Sequence, residues 1–342
     1  MGADKPARSA AAGGRRTGVT IYDIARAAQV SPSTVSRALH KPGRINAKTE
    51  QHIRETAKAL GYRINPLARA LPTGRTRMLG LILSDFTNPV FFDLVRGAER
   101  VTAQEGYTLV IAESQETPDL EQETAERLLP SVDGMVLVAS RLDDDQIMRI
   151  SDSKPLFLVN REVPDVPGVV PDLLPGIRSA LDHLAALGHR SLAFLAGPST
   201  SWMSRLRWER FFAEALRRSM TIVEIGPNPP TVDGGRDSLA RVLASGVTAV
   251  LAYNDLMAIG LLQASRAAGV DVPGRFSIVG FDDIFGADFT APPLTTIRTP
   301  LGSMGEEAVR RLIAQVDAQH PGDGATLPTA FVERGSTAPA SG

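Results

Sequence analysis

Asn254-Asp255 and Asp282-Asp283 each follow directly on a run of apolar residues, as do Ser84-Asp85-Phe86, Glu113-Ser114, Asn160-Arg161 and Gly197-Pro198-Ser199. Amides, carboxylates and a guanidinium with an aromatic ring among them suit a small polyhydroxylated molecule. Carboxylate and guanidinium bond adjacent hydroxyls in pairs, and a ring packs on the apolar face of a sugar. A second polar group lies near the N-terminus, where Ser33, Ser36 and Arg37 fall within SPSTVSRALH. An arginine at the exposed start of a helix can bond a guanine edge through two hydrogen bonds or clamp a phosphate. Neither group has the makings of a catalytic centre. The five histidines, His40, His52, His183, His189 and His320, show no metal spacing and stand in no motif with a Ser or Cys nucleophile. No phosphate-binding loop of the Walker or GxGxxG kind opens a helix. The sequence implies no catalysis, metal or cofactor.

The elements that must position the first group begin at Met78. MLGLIL, YTLVIAE, GMVLVA and PLFLVN are short apolar runs separated by helical stretches at 90–105 and 119–130. A second series, SLAFLAG, TIVEIG, TAVLAYN and FSIVGFDD, alternates with helices near 176–187, 204–219, 235–244 and 255–268. Strands apolar on both faces with helices between them make parallel sheets. Two such series predict two doubly wound α/β halves of about 100 residues each. Ligands in these sheets bind outside the carboxyl ends of the strands, which is where the polar pairs lie.

The second group sits on a smaller unit. Thr20 is placed to cap a helix from Ile21 to about Ala28, with Asp23 three residues on. Ser31 caps a second helix with Pro32 at its first position, and Asn46 caps a third that Gly61 ends. Two short helices joined by a tight turn and braced by a third form a helix-turn-helix, whose second helix enters the major groove. Pro32, Ser33, Ser36 and Arg37 are then nearest the bases. Thr20, Tyr22, Ser31, Thr34, Asn46 and Lys48 are placed to bond phosphates.

Charge agrees with this division. Residues 1–77 hold 15 Lys and Arg against 4 Asp and Glu, a balance of +11, whereas the remainder holds 22 against 34, or −12. A basic head on an acidic body is expected when one part meets a polyanion. The chain has no cysteine, and 43% of its residues are hydrophobic, enough for a large core. The first 18 residues, rich in Ala, Gly and Arg, read as a flexible tail and not a secretory signal, and no apolar run is long enough to span a membrane.

From Thr20 to Arg37 the head carries the signature T-x-x-D-(I/V)-A-x-x-A-x-V-S-x-x-T-V-S-R. It resembles the DNA-binding domain of the lactose-repressor/galactose-repressor family, with Gln29 in the turn where relatives usually have Gly. The body is similar to the same family, and to periplasmic sugar-binding proteins, through SDFTNPVF, VNRE, LGHRSLAFLAGP, YNDLMAIG, IVGFDD and PPLTTIRTP. The resemblance implies a cytoplasmic homodimeric repressor of a pseudo-palindromic operator in double-stranded DNA. It implies a tail at 1–18, a helix-turn-helix domain at 19–64, a hinge helix and linker at 65–77, an effector domain at 78–335 and a tail at 336–342. The effector domain's N-terminal half would be 78–172 with 299–327, and its C-terminal half 173–298 with 328–335. NPLARAL would be the hinge, with Asn65 as cap, Arg69 near phosphate and Leu71 wedged in the minor groove, an apolar contact that bends the duplex. The effector, a sugar or related polyol, would meet Phe86, Phe91 and Asn160 on one side and Arg207, Asn254 and Asp282 on the other. Met203, Ala139 and Thr299 depart from the usual polar residues, and GPNPPTVDGG lacks the aromatic often found there. A secreted solute-binding protein is opposed by the basic head. An architectural DNA-binder with an unresponsive body is the remaining alternative, separated only by ligand binding.

Overall fold

The structure, a computed structural model, describes residues 19–40, 44–62, 75–319 and 327–341. Asn65, Arg69 and Leu71 of the expected hinge lie outside the described residues, as does the tail at 1–18. The chain divides into two compact units, 1–76 and 77–342.

Among its described residues the first unit holds three helices, α1 (Ile21–Ala27), α2 (Pro32–His40) and α3 (Ala47–Ala59). Asp23 reaches back to accept from the Thr20 N–H at 2.9 Å, and Ser31 Oγ accepts from the Thr34 N–H at 3.2 Å. Asn46 caps α3 through the Lys48 N–H at 2.9 Å. These bonds satisfy donors that a helix start leaves open. Ile24, Val35, Ala38 and Ile53, from all three helices, are fully buried and form one core. Gln29 adopts φ 54°, the left-handed turn usually given to glycine, at a cost of roughly 1 kcal/mol that the surrounding core overrides.

The second unit holds two sheets. In the first, β1 (Met78–Leu83), β2 (Thr108–Glu113), β3 (Gly134–Val138), β4 (Leu156–Val159) and β5 (Gly168–Val169) run parallel in the order β2-β1-β3-β4-β5. The second sheet has the order β11-β10-β9-β8-β6-β7. Its members are β6 (Ser191–Leu195), β7 (Thr221–Ile225), β8 (Ala249–Ala252), β9 (Ser277–Asp282), β10 (Thr295–Arg298) and β11 (Ala330–Val332). Only β11 runs antiparallel to its neighbour. All eight expected strands are present; β5, β10 and β11 are short additions at sheet edges or next to them.

Two body helices go beyond the sequence reading. Asp144–Ser153 is started by Asp143, which accepts from the Gln146 N–H while Gln146 reaches back. Leu301–Val316 crosses into the first half and packs on Val90–Gln104. Their backbones approach so closely that a Cβ at Gly97 would lie 2.0 Å from the Gly302 carbonyl, and one at Gly305 would lie 2.1 Å from the Leu94 carbonyl. Glycine is required by space at both positions, not by backbone angle. The helix expected at 235–244 is two, Val232–Arg236 and Leu239–Ser245.

The chain passes between the halves near residues 172, 299 and 327. Asp172 donates its N–H to the Leu327 carbonyl and accepts from the Thr329 N–H, both at 2.9 Å, so two of the crossings are bonded side by side. The C-terminal residues 336–341 are built into the fold and are not the tail expected from sequence. Ser336 is fully buried; its hydroxyl accepts from the Thr295 N–H at 2.8 Å and donates to the Ile278 carbonyl at 2.6 Å. His189, 1% exposed, bonds the Ala338 carbonyl at 3.0 Å, and Ala340 donates to the Leu187 carbonyl. Small polar residues carry no hydrophobic signal, and backbone pairing is invisible to a reading by apolar periodicity.

Candidate functional site

Polar groups collect where both sheets end. At the close of β9, Asp282 is turned to φ 108° and Asp283 to φ 57°. Such angles cost of order 1–3 kcal/mol and persist only where the surroundings over-determine them. The helix Trp202–Arg217 supplies Arg207, whose Nη2 donates to Asp282 Oδ1 at 2.7 Å; Nη1 donates to the Tyr253 carbonyl. Thr299, at a crossing between halves, donates its hydroxyl to the same Asp282 oxygen at 3.2 Å. The Arg207 guanidinium lies 3.8 Å from the Phe281 ring centre and 5.1 Å from that of Tyr253. A planar cation on two ring faces and a carboxylate has one permitted orientation.

Asp255 braces this corner from behind. It is wholly buried, with one oxygen accepting from Thr296 Oγ1 at 2.6 Å and the other from the Ile284 N–H at 2.8 Å. Burial, reinforced by the charge of Asp282, pushes its carboxyl up to about 8 from an ordinary 3.8. Asn254, beside it, caps its helix through the Met257 N–H at 2.9 Å and donates to the Pro230 carbonyl at 2.9 Å. Its oxygen thus serves the cap, while one of the two amide hydrogens goes to Pro230.

On the N-terminal side, Asn160 ends β4 at φ 59°, and its buried Oδ1 has no partner. The Nε of Arg207 is likewise buried without a partner. Phe86, half exposed, and Phe91, buried, line an apolar cavity of about 300 Å³ with Leu83, Phe92, Val95, Arg96 and Ile111. All of these belong to the N-terminal half. A larger cavity of about 660 Å³ joins the start of Val90–Gln104 to Asp282–Phe285 and the crossing at 298–303. Among the six expected effector contacts, a direct bond joins only Arg207 and Asp282. The sequence reading missed Tyr253 as acceptor and Asp255 as brace. It also missed Arg141 and Glu116, although Arg141 stands just beyond an apolar run, as the other polar groups do.

In the first unit, Thr20, Tyr22, Ser31, Pro32, Ser33, Arg37, Asn46 and Lys48 are exposed, with Thr34 and Ser36 half-buried. Arg37 Nε donates to the Ser33 carbonyl one turn back at 3.2 Å, which leaves its two terminal nitrogens for a partner. The Ser31 hydroxyl bonds those of Ser33 and Thr34, each at 2.8 Å. The start of α2 is thus a surface of small polar groups and one cation.

A three-helix unit with that surface, joined to two parallel sheets with a polar junction, defines a DNA-binding regulator with a ligand-binding body. Residues 20–65 match the bacterial regulatory proteins of the lacI family, and residues 181–337 match the periplasmic binding protein-like domain. The HTH-type transcriptional repressor CytR of Escherichia coli K12 is 32% identical over 333 residues, covering 94% of this chain and 97% of its own. The chain belongs to the lacI family of transcriptional regulators, which are not enzymes. A lac repressor dimer solved with operator and the anti-inducer ONPF superposes with a TM-score of 0.83 at 27% identity, covering 94% of this chain and all of that one. A family regulator from Enterococcus faecium with bound ribose gives 0.68 at 26% identity over 77% of this chain and all of its own. No helix among the described residues is long and apolar enough to cross a membrane.

Proposed function

We propose that the protein is a cytoplasmic, homodimeric repressor whose hold on a pseudo-palindromic operator is set by a sugar or related polyol bound between the halves of its body. The observation that carries this reading is the buried Arg207–Asp282 pair, held on strained backbone, with a donor on Arg207 and an acceptor on Asn160 left open. Buried polar atoms are normally paired. One spare donor and one spare acceptor are what ligand hydroxyls complete.

On this reading Phe86, Phe91 and Asn160 receive the effector from one half and Arg207, Asn254 and Asp282 from the other, Asn254 also fixing the start of its helix. Ligand drawn to both sides biases the halves toward closure about the paired crossings at Asp172 and Thr329. Closure reaches the head through the dimer, a two-state element biased from a distant site. Pro32, Ser33, Ser36 and Arg37 read bases; Thr20, Tyr22, Ser31, Thr34, Asn46 and Lys48 hold phosphates. The segment with Asn65, Arg69 and Leu71 is the hinge on the minor groove.

The test is fluorescence anisotropy on operator DNA selected from a random-sequence pool, with ribose, cellobiose and other neutral sugars added in turn. Operator affinity should change roughly 5–150-fold with at least one of them. An operator complex indifferent to every sugar that binds the protein would leave the architectural alternative in place.

A further inference from the structure

The N-terminal half holds an arginine–carboxylate pair of its own. Arg141 follows β3, where Ala139 turns the backbone to φ 52°. Its Nε donates to Glu116 Oε2 at 2.8 Å, Nη2 reaches the same oxygen, and Nη1 donates to the Ala139 carbonyl at 3.0 Å. Glu121 accepts from the Arg141 backbone N–H at 2.8 Å. The side chain is 3% exposed. Burial works against its charge, yet Tyr253 of the opposite half and Glu116 outweigh it and hold the guanidinium above its ordinary value. Like Arg207 in the other half, Arg141 is tied to one carboxylate and one backbone carbonyl.

We propose that this cleft accepts a neutral polyhydroxylated ligand and rejects its phosphorylated counterpart, with Arg141 as the ligand contact of the N-terminal half. This rests on the effector reading above and narrows its chemistry. Arg141 is neutralised by Glu116, and Arg207 by Asp282. Arg161, after β4, is tied to Asp144. A phosphate placed between these pairs must pull a carboxylate off its arginine or remain a poorly paired buried charge, and both are unfavourable. A hydroxyl needs neither. It donates to one pair's carboxylate and accepts from an N–H, and the open atoms, Arg207 Nε and Asn160 Oδ1, offer one of each role.

The experiment uses the full chain and matched sugars: D-ribose against D-ribose 5-phosphate, and D-glucose against D-glucose 6-phosphate, together with cellobiose. Melting shifts identify binders and titration calorimetry gives their Kd. The expected result is a neutral sugar that binds at least tenfold more tightly than its phosphate. Glu116→Gln, which keeps the shape and releases the Arg141 charge, should narrow that ratio at least tenfold. Arg141→Met should weaken the neutral sugar by a similar factor. Should it not melt cooperatively, the double variant Arg141→Met/Glu116→Gln, which buries no lone charge, takes its place. A phosphorylated sugar bound as tightly as its neutral partner overturns the proposal, as does a ratio that Glu116→Gln leaves alone. Neutral-sugar affinity unaffected by loss of Arg141 removes it from the contact. If no sugar of either kind binds, the effector reading itself fails, an outcome distinct from these.

Discussion

Asp282 and Arg207 meet at 2.7 Å with less than a tenth of either side chain exposed, one from a strand end and the other from a helix. Breaking a buried pair by removing one partner strands the other, typically at a cost of 3–5 kcal/mol. Neither residue serves here as a surface charge.

Asp282→Ala should therefore abolish the regulator's response. Operator affinity, measured by anisotropy with and without the sugar that binds the wild type, should differ severalfold in the wild type and by less than twofold in the variant. A variant that responds in full would place the ligand away from Asp282.

The reading face gives a second expectation. Arg37→Ala should weaken binding to the selected operator by about 1–3 kcal/mol and relax preference at one base pair. Competition with operator variants reads this directly. Equal loss on operator and random DNA would make Arg37 a phosphate clamp.

Asp255 predicts a pH dependence with a definite sign. Burial first, then the charge of Asp282, raise its folded value to about 8 from 3.8. Between those values the folded chain keeps a proton that the unfolded chain releases. The stability this contributes is complete below about pH 4 and is lost as pH rises through 8. Thermal unfolding from pH 6 to 9 should show the wild-type midpoint falling, and Asp255→Asn should flatten that fall. Parallel curves for the two proteins would mean that Asp255 does not titrate there.

His189 carries the opposite sign. Burial holds its ring below the ordinary 6.5, so its contribution is present above that value and fades as acid protonates it. Ser336→Ala removes the acceptor for Thr295 N–H and the donor to Ile278, at a cost of roughly 1–3 kcal/mol. A chain ending at Gly335 should melt well below the full chain by calorimetry. Equal melting would mean that the C-terminal segment is dispensable.

The head and the eight principal strands were legible because caps and apolar runs are local signals. The cleft was legible only in outline. Asp282 and Arg207 stood out by position and by family resemblance, yet 75 residues separate them, and nothing in the sequence announces that they pair. Asn254 caps its helix, and a capping amide and a binding amide are the same residue type, so the sequence does not separate the two roles. Arg141 and Glu116 lie 25 residues apart, and nothing in the sequence announces their pairing either. Ser336 and Ala338 were read as tail, since a hydroxyl or a carbonyl completing a neighbour's hydrogen bonds leaves no compositional trace.

The route of the chain through its own body has a consequence for synthesis. The N-terminal half begins at β1 but is completed by Leu301–Val316, packed against Val90–Gln104 through Gly97 and Gly305. The C-terminal half is completed by β11 and by Ser336–Ser341. A nascent chain emerges N-terminus first, and domains generally fold as they appear. Here the three-helix unit can fold while the ribosome is still translating, but neither half of the body can close until the last few dozen residues are free. A truncated product would carry a finished DNA-reading unit on an unfinished body, so premature termination should yield aggregation-prone fragments instead of constitutive repressors.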